Sequence, residues 1–343
     1  MNTVQIIEIF FLAAVISYLG TPFVRMLAIR LNYFDHPQDN KVHAHPTPLL
    51  GGVAIFAAFI ISVFTKNEIV SLSPVQAIMG GAFILLVVGL IDDKMGMVPE
   101  FKLLGQFLAA MLVVKAGLRI AFIPNYYLSI IITYIWIIGI TNAFNLLDNM
   151  NGLSAGIAAI SAFFFGVISY INGEAVVSAM SFALAGSALG FLKHNFPKAA
   201  IFMGDSGSLV LGYVLASLAI FGNWKTTNLT TTLMIPLLVL GYPIFDTTLV
   251  SVKRILEGRS IFQGGKDHSS HRLALLGLKK YRAVLIIYLV CFLLGAAALA
   301  VKMACPALGL GFVAAAFIGM LALGVRLGFV DTKRFGRKKG LHE

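Results

Sequence analysis

Val75-Gln-Ala-Ile-Met-Gly-Gly-Ala-Phe-Ile-Leu-Leu-Val-Val-Gly-Leu-Ile-Asp92-Asp93 is the stretch that decides the fold. Residues 75–91 carry no charge and are apolar apart from Gln76, which suits a membrane-crossing helix of roughly 17–25 residues. Hydrophobicity is continuous rather than alternating, which argues against a barrel strand. The run then stops on two adjacent carboxylates. Similar apolar runs occupy 4–29, 50–65, 101–117, 128–144, 152–171, 174–192, 207–222, 231–251, 283–302 and 306–326. About eleven transmembrane helices are expected, in an all-α integral membrane protein. Composition agrees: 59% of the 343 residues are hydrophobic and 12% charged, far from the soluble range. No stretch is left for a separate soluble domain, so residues 1–343 read as one polytopic domain.

Lys and Arg set the expected orientation. An odd number of spans puts the termini on opposite sides. With the N-terminus outside, only Lys66, Lys115, Arg119, Lys225 and Lys302 face outward, and 21 of the 26 basic residues face the cytoplasm. The C-terminus is then cytoplasmic, and 327–343 form a basic tail that sits against anionic headgroups. Most of the +11 net charge is this bias, so it does not point to nucleic acid. The first span lacks a basic leader and is too long for a signal-peptide core, so it reads as a retained helix. Cys291 and Cys305 lack metal-ligand spacing. No internal repeat is visible.

This orientation puts every chemically capable loop on the cytoplasmic face. The first contains Lys41, His43 and His45, with Pro46 and Pro48 keeping the backbone extended and Gly51-Gly52 allowing close packing at the next helix. Asp92 and Asp93 repel each other at a membrane mouth, which marks a functional pair unless Lys94 or Lys102 neutralises it. Asn142, Asn145 and Asp148 recur every third residue, so they share one face of a helix end. Their oxygens suit a hard cation such as Mg²⁺, or else cap the helix. Two helix starts, Gly152-Leu-Ser and Gly207-Ser208, offer amides to phosphate, and Asp205 is a second metal-ligand candidate. His268, His271 and Arg272 form a donor cluster suited to pyrophosphate. Zinc is disfavoured there, because a third ligand is missing. Asp246 is either a site carboxylate or a partner of Lys253 or Arg254.

Gly204-Asp-Ser-Gly207 superficially suggests a serine protease, but no histidine stands in an ordered upstream position and the spans lack the residues of an intramembrane one. A transporter or lipid flippase is the alternative from another class. It needs polar residues along a route through the bilayer, whereas here the spans and outer loops are poor in them.

Taken in order, Lys-x-His-x-x-Pro with Gly-Gly, Asp-Asp, Asn-x-x-Asn-x-x-Asp, Gly-Asp-x-Gly-Ser and His-x-x-His-Arg resemble the polyprenyl-phosphate N-acetylhexosamine-1-phosphate transferases. These enzymes start O-antigen, enterobacterial common antigen and teichoic acid linkage units, and are related to phospho-N-acetylmuramoyl-pentapeptide transferase. The resemblance covers residues 10–330. It implies a multi-pass enzyme of the bacterial cytoplasmic membrane, moving a sugar-1-phosphate from a UDP-sugar to undecaprenyl phosphate and releasing UMP. It further implies Mg²⁺, or Mn²⁺ in its place, on Asp205 and Asn145. Asp92 is then near the acceptor phosphate as its base, with Asp93 beside it, and Asp148 is a site carboxylate acting as nucleophile or scaffold. Lys102, His268, His271 and Arg272 hold phosphates, and Asn151 and Phe202 line a uridine pocket near Lys41. His43 and Asn142 complete the substrate-binding set. Membrane lipids are expected partners, and a homodimer is compatible with the pattern.

Two departures bear on this. Asp148-Asn149 stands where many members carry Asp-Gly, and Asn is the residue that best replaces Gly in a left-handed turn. The histidine pair lacks the three consecutive histidines of the muramoyl-pentapeptide enzyme, which favours a simple N-acetylhexosamine donor over a peptide-bearing one, with UDP-GlcNAc the leading expectation. Another UDP-HexNAc or UDP-MurNAc-pentapeptide is the runner-up.

Overall fold

The computed structural model describes residues 1–35, 46–224, 229–260 and 265–330. The chain divides into two compact units, Met1–Lys225 and Thr226–Glu343, where the sequence reads as one polytopic domain. Lys41, His43 and the tail beyond Val330 lie outside the described residues.

The first unit holds α1 (Thr3–Arg30), α2 (Gly51–Phe64), the one-turn α3 (Asn67–Val70), α4 (Ser73–Met95), α5 (Pro99–Lys115), α6 (Tyr126–Leu147), α7 (Leu153–Ile171), α8 (Ala175–Asn195) and α9 (Asp205–Phe221). Between α1 and α2, the two-residue strands β1 (Phe34–Asp35) and β2 (Thr47–Pro48) pair antiparallel, Phe34 opposite Pro48. The second unit holds α10 (Leu229–Val239), α11 (Gly241–Leu256), α12 (Ser269–Leu275), α13 (Lys280–Met303) and α14 (Pro306–Gly328).

The all-helical membrane architecture expected from the apolar runs is present. Among the described residues, seven helices are long and apolar enough to cross a membrane: α1, α4, α6, α7, α8, α13 and α14. The predicted span 231–251 is not one straight helix, because α10 and α11 meet at Leu240 with a bend of 71°. The cause is Pro243, whose ring collides with the carbonyl of Val239, four residues back, and whose nitrogen has no hydrogen to donate. Counting that bent pair as one span gives eight. The runs at 50–65, 101–117 and 207–222 are helical too, but α2, α5 and α9 span only 14, 17 and 17 residues.

α9 explains how a short helix serves such a protein. Every residue from Ser206 to Ala219 is buried, against α2, α4, α6, α7 and α8. By contrast α14 leaves Phe317, Ile318 and Leu321 exposed, the pattern of a surface turned to lipid tails. Close approach to α9 depends on glycines in its neighbours, since helix packing in lipid relies on small residues. A side chain on Gly52 would strike the backbone of Gly207, and one on Gly89 would strike the backbone of Ser206. Gly89→Ala is therefore expected to push the start of α9 off α4, costing about 1–3 kcal/mol through overpacking. A smaller loss of thermal stability, with turnover unchanged, would contradict this packing.

Candidate active site

The Gly89 contact is what builds the site. Asp93 lies one turn beyond Gly89 on α4, on the same face, so seating Ser206 on Gly89 places the Asp93 carboxylate over the first amides of α9. The Asp205 N–H donates to Asp93 Oδ1 at 2.8 Å and the Ser206 N–H donates to Oδ2 at 3.2 Å. A helix N-terminus attracts an anion, and here the protein supplies its own. This corrects one expectation. The amides at the start of α9 are not open to a substrate phosphate: Asp93 takes those of Asp205 and Ser206, and the Gly204 carbonyl takes those of Gly207 and Ser208.

Asp92 points the other way. It accepts the Met97 N–H at 2.6 Å, which closes the turn after α4. It also forms an ion pair with Lys102 of α5, whose ammonium donates to Asp205 Oδ2 at 2.7 Å as well. Lys102 thus joins α4 and α9 through one charge on two carboxylates. Lys94 does not compete for them. It donates to the Leu31 carbonyl at 2.9 Å and lies 4.5 Å from the centre of the Tyr33 ring.

α6 brings the remaining oxygens. The Asn145 amide donates to Ser208 Oγ at 3.0 Å and interacts with the Asp205 carboxylate. Asp148 caps the end of α6 in a non-helical conformation. Burial, followed by the nearby Asp205 and Asp93 charges, pushes its carboxyl well above the usual carboxylate range. Asp92, Asp93, Asp148 and Asp205 therefore gather with Lys102, so carboxylates outnumber local cations. Among the described residues, no three His, Cys, Asp or Glu side chains are set to enclose a metal by themselves. Mg²⁺ is usually held by one or two carboxylates together with water and substrate phosphates. The all-oxygen donor set of Asp205 and Asn145 fits such a hard cation.

Other predicted residues lie apart from this cluster. Asn142 exchanges hydrogen bonds with Gln106 of α5, donating at 2.7 Å and accepting at 3.2 Å. That reciprocal amide pair ties α5 to α6 and consumes the groups assigned to substrate. Asn149 is not left-handed: among the described residues only Asn32 and Leu50 combine a side chain with positive φ. Asn149 instead donates to the Leu146 carbonyl at 2.8 Å, and Gly152 takes the left-handed turn at φ +75°. The Gly152 amide is not open to phosphate, since it donates to Asn195 Oδ1 at 2.6 Å. Asn151 donates to the Pro197 carbonyl at 3.3 Å. Phe202 is half-buried, its backbone running along the start of α2, where the Gly51 N–H donates to its carbonyl at 3.0 Å.

The second unit carries a buried polar network of its own. Asp246 of α11 pairs neither with Lys253 nor with Arg254. Its Oδ2 meets His268 Nδ1 at 2.7 Å, and its Oδ1 accepts both the backbone N–H of Ser269, at 2.7 Å, and the Ser269 hydroxyl. Arg254 grips Asp267 through two bonds, at 2.9 and 2.7 Å. Burial pushes the Asp267 carboxyl up, but Arg254 overrides this and holds it below the usual range.

Arg272 departs from its predicted role as a phosphate fork. It is buried, and donates to the carbonyls of Asp267 at 2.8 Å, Leu327 at 3.2 Å and Val330 at 2.9 Å. A cation at the end of α14 is favoured by the helix dipole, and one terminal nitrogen of the guanidinium is engaged there. His271 is also buried. Burial, then the His268 charge, push its imidazole down to about 4, so at neutral pH it has no positive charge to offer a phosphate. A buried neutral histidine stabilises the fold above its unfolded pKa, and that contribution is lost as pH falls from 6.5 toward about 4. The loss should approach about 3 kcal/mol. Thermal unfolding of the wild type should accordingly weaken across that window, and His271→Gln should flatten the fall.

Residues 75–223 match glycosyl transferase family 4. The chain is 35% identical to the probable undecaprenyl-phosphate N-acetylglucosaminyl 1-phosphate transferase of Bacillus subtilis, over 96% of this chain and 94% of that protein. It is 34% identical to the decaprenyl-phosphate N-acetylglucosaminephosphotransferase of Mycobacterium tuberculosis, over 81% of this chain and 78% of that one. A phospho-N-acetylmuramoyl-pentapeptide-transferase of Bacillus velezensis is 28% identical, over 80% of this chain and 90% of that protein.

Proposed function

Because the chain belongs to the polyprenyl-phosphate N-acetylhexosamine-1-phosphate transferases of glycosyl transferase family 4, we propose that its donor is UDP-GlcNAc and its acceptor undecaprenyl phosphate. The enzyme moves a sugar-1-phosphate onto a polyprenyl phosphate. The products proposed here are undecaprenyl-pyrophosphoryl-GlcNAc and UMP, which would initiate a cell-envelope glycan. The observation that carries the reading is the cluster of Asp92, Asp148 and Asp205 around Lys102 and Asn145, at the ends of four helices. Relatives named for N-acetylglucosamine support the donor.

In this reaction an oxygen of the acceptor phosphate attacks the β-phosphorus of UDP-GlcNAc. A new P–O bond forms, the bond from that phosphorus to the bridging oxygen breaks, and UMP leaves with that oxygen. Such transfer needs charge neutralisation and alignment more than covalent help from the protein. Mg²⁺ on Asp205 and Asn145 would neutralise the pyrophosphate. Lys102 sets the position of Asp205 and adds a positive charge. Asp92 sits beside Lys102, near the acceptor phosphate. Little basicity is required of it, because a phosphate monoester with a second pKa of about 6 is already mostly dianionic at neutral pH. Asp93 holds the start of α9 and thereby Asp205. We place the site at the cytoplasmic face of a bacterial inner membrane, with eleven crossings and an outer N-terminus, on the strength of the Lys and Arg distribution.

The donor is tested by measuring UMP release by detergent-purified protein with undecaprenyl phosphate and Mg²⁺. UDP-GlcNAc, UDP-GalNAc and UDP-MurNAc-pentapeptide are compared. The reading expects kcat/KM for UDP-GlcNAc to exceed the others by at least about tenfold, the size of effect that one lost pocket contact produces. A preference for another donor would keep the reaction class and replace the sugar.

A further inference from the structure

Asp246, in the second unit, has no exposed surface and takes no part in the mechanism above. Its two oxygens are used unequally. Oδ1 accepts the backbone N–H and the hydroxyl of Ser269, and the hydroxyl is also bonded to the Tyr242 phenol. Oδ2 meets only His268 Nδ1, at 2.7 Å. A carboxylate can only accept hydrogen bonds, so Nδ1 must carry the hydrogen. The free ring nitrogen is then Nε2, which makes no hydrogen bond among the described residues.

We infer that Asp246 is a positioning residue that fixes His268 in the Nδ1–H form and so dedicates Nε2 to a substrate phosphate. The inference rests on the proposed phosphate-transfer function. To donate to a phosphate oxygen, Nε2 takes up a proton, and the ring becomes an imidazolium held between the phosphate and the Asp246 carboxylate. The buried carboxylate compensates that charge from behind. Its neighbours are placed for other work: Arg272 engages the carbonyls at the end of α14, and His271 is held neutral by burial. His268, though buried like its two neighbours, is therefore the member of the His-x-x-His-Arg motif whose Nε2 takes no hydrogen bond among the described residues.

The same geometry dictates what an amide in place of the carboxylate does. In Asp246→Asn the oxygen stays with the two Ser269 donors, and the NH₂ group turns toward His268. Nδ1 then has to accept, which forces the hydrogen to Nε2. The ring becomes a neutral donor, and its hydrogen bond to phosphate loses its charge assistance. That difference corresponds to a loss in kcat/KM of about 10–100-fold.

The test is nitrogen NMR of protein labelled with ¹⁵N-histidine, at a pH where the ring is neutral. The chain has seven histidines, and His268 is assigned by its disappearance in His268→Gln. The wild type is expected to show Nδ1 protonated and Nε2 bare. Asp246→Asn should show the reverse, together with the loss in UMP release. Ser269→Ala should keep the wild-type form, because the backbone N–H still holds Oδ1. A wild-type ring protonated on Nε2 would overturn the inference even if no variant folds. So would an Asp246→Asn ring unchanged from wild type, or a reversed ring with undiminished turnover. The spectrum is read without substrate, so a wild type that releases no UMP from any donor overturns the functional reading separately.

Discussion

Asp205→Asn is expected to slow UMP release by about 10³-fold while leaving the protein folded, since removal of a single group that stabilises transition-state charge typically costs 10²–10³ in kcat. The change keeps the shape of the side chain and the backbone N–H that Asp93 holds at 2.8 Å. What it removes is the negative charge that Lys102 contacts at 2.7 Å and that a divalent cation needs. Metal affinity should fall along with turnover. Titration with Mn²⁺, followed by its paramagnetic signal, reads this without any turnover. Equal Mn²⁺ affinity in Asp205→Asn and wild type would remove Asp205 from the metal site, whatever happened to the rate.

Lys102→Met is the second large effect, and it differs in kind. Lys102 is the shared cation of Asp92 and Asp205. Without it, two carboxylates on different helices face each other uncompensated. Removing one partner of a buried pair costs about 3–5 kcal/mol. These side chains keep part of their solvent contact, between 10% and 28% of their surface, so about 1–2 kcal/mol is the reasonable expectation after screening. Turnover should fall by about 10²-fold or more, through loss of a positive charge beside the pyrophosphate. Lys102→Arg should recover stability more than rate, because the flat guanidinium fork does not reproduce a compact ammonium between two carboxylates. Thermal unfolding and UMP release, compared across Met and Arg variants, separate the two contributions. Wild-type turnover in Lys102→Met would contradict the role assigned to this lysine.

The helices were legible because lipid leaves so few alternatives. An unbroken apolar run such as residues 77–91 has little choice but to be helical, and α4 covers it. The break at Leu240 was legible in principle from Pro243, but the apolar run across 231–251 hides it. Asp92, Lys102, Asn145, Asp148 and Asp205 are grouped by the family resemblance, and the structure brings these five side chains together.

What escaped the sequence is how each donor is spent. The role of Asp93 depends on Ser206 seating on Gly89, a contact between residues more than a hundred positions apart. Arg272 was predicted from its chemistry as a phosphate fork, and that chemistry serves equally well for the carbonyls of Leu327 and Val330, 55 and 58 residues away. Asn142 likewise has an amide partner in Gln106 that no local pattern announces. Asp246 and His268 lie 22 positions apart in the chain. In each case the residue type was informative and the partner was not, since the partner is set by tertiary packing.

The central claim is that Asp205, with a divalent cation and Lys102, drives transfer of a sugar-1-phosphate onto a polyprenyl phosphate. It is tested most directly by UMP release from detergent-purified protein given UDP-GlcNAc, undecaprenyl phosphate and Mg²⁺. Parallel reactions omit the lipid, add a chelator, or use Asp205→Ala. The account predicts UMP only in the complete wild-type reaction, with each omission lowering the rate by at least about 10²-fold. UMP released at the wild-type rate by Asp205→Ala or in the presence of chelator would contradict it, as would no UMP from any UDP-sugar by protein shown to be folded.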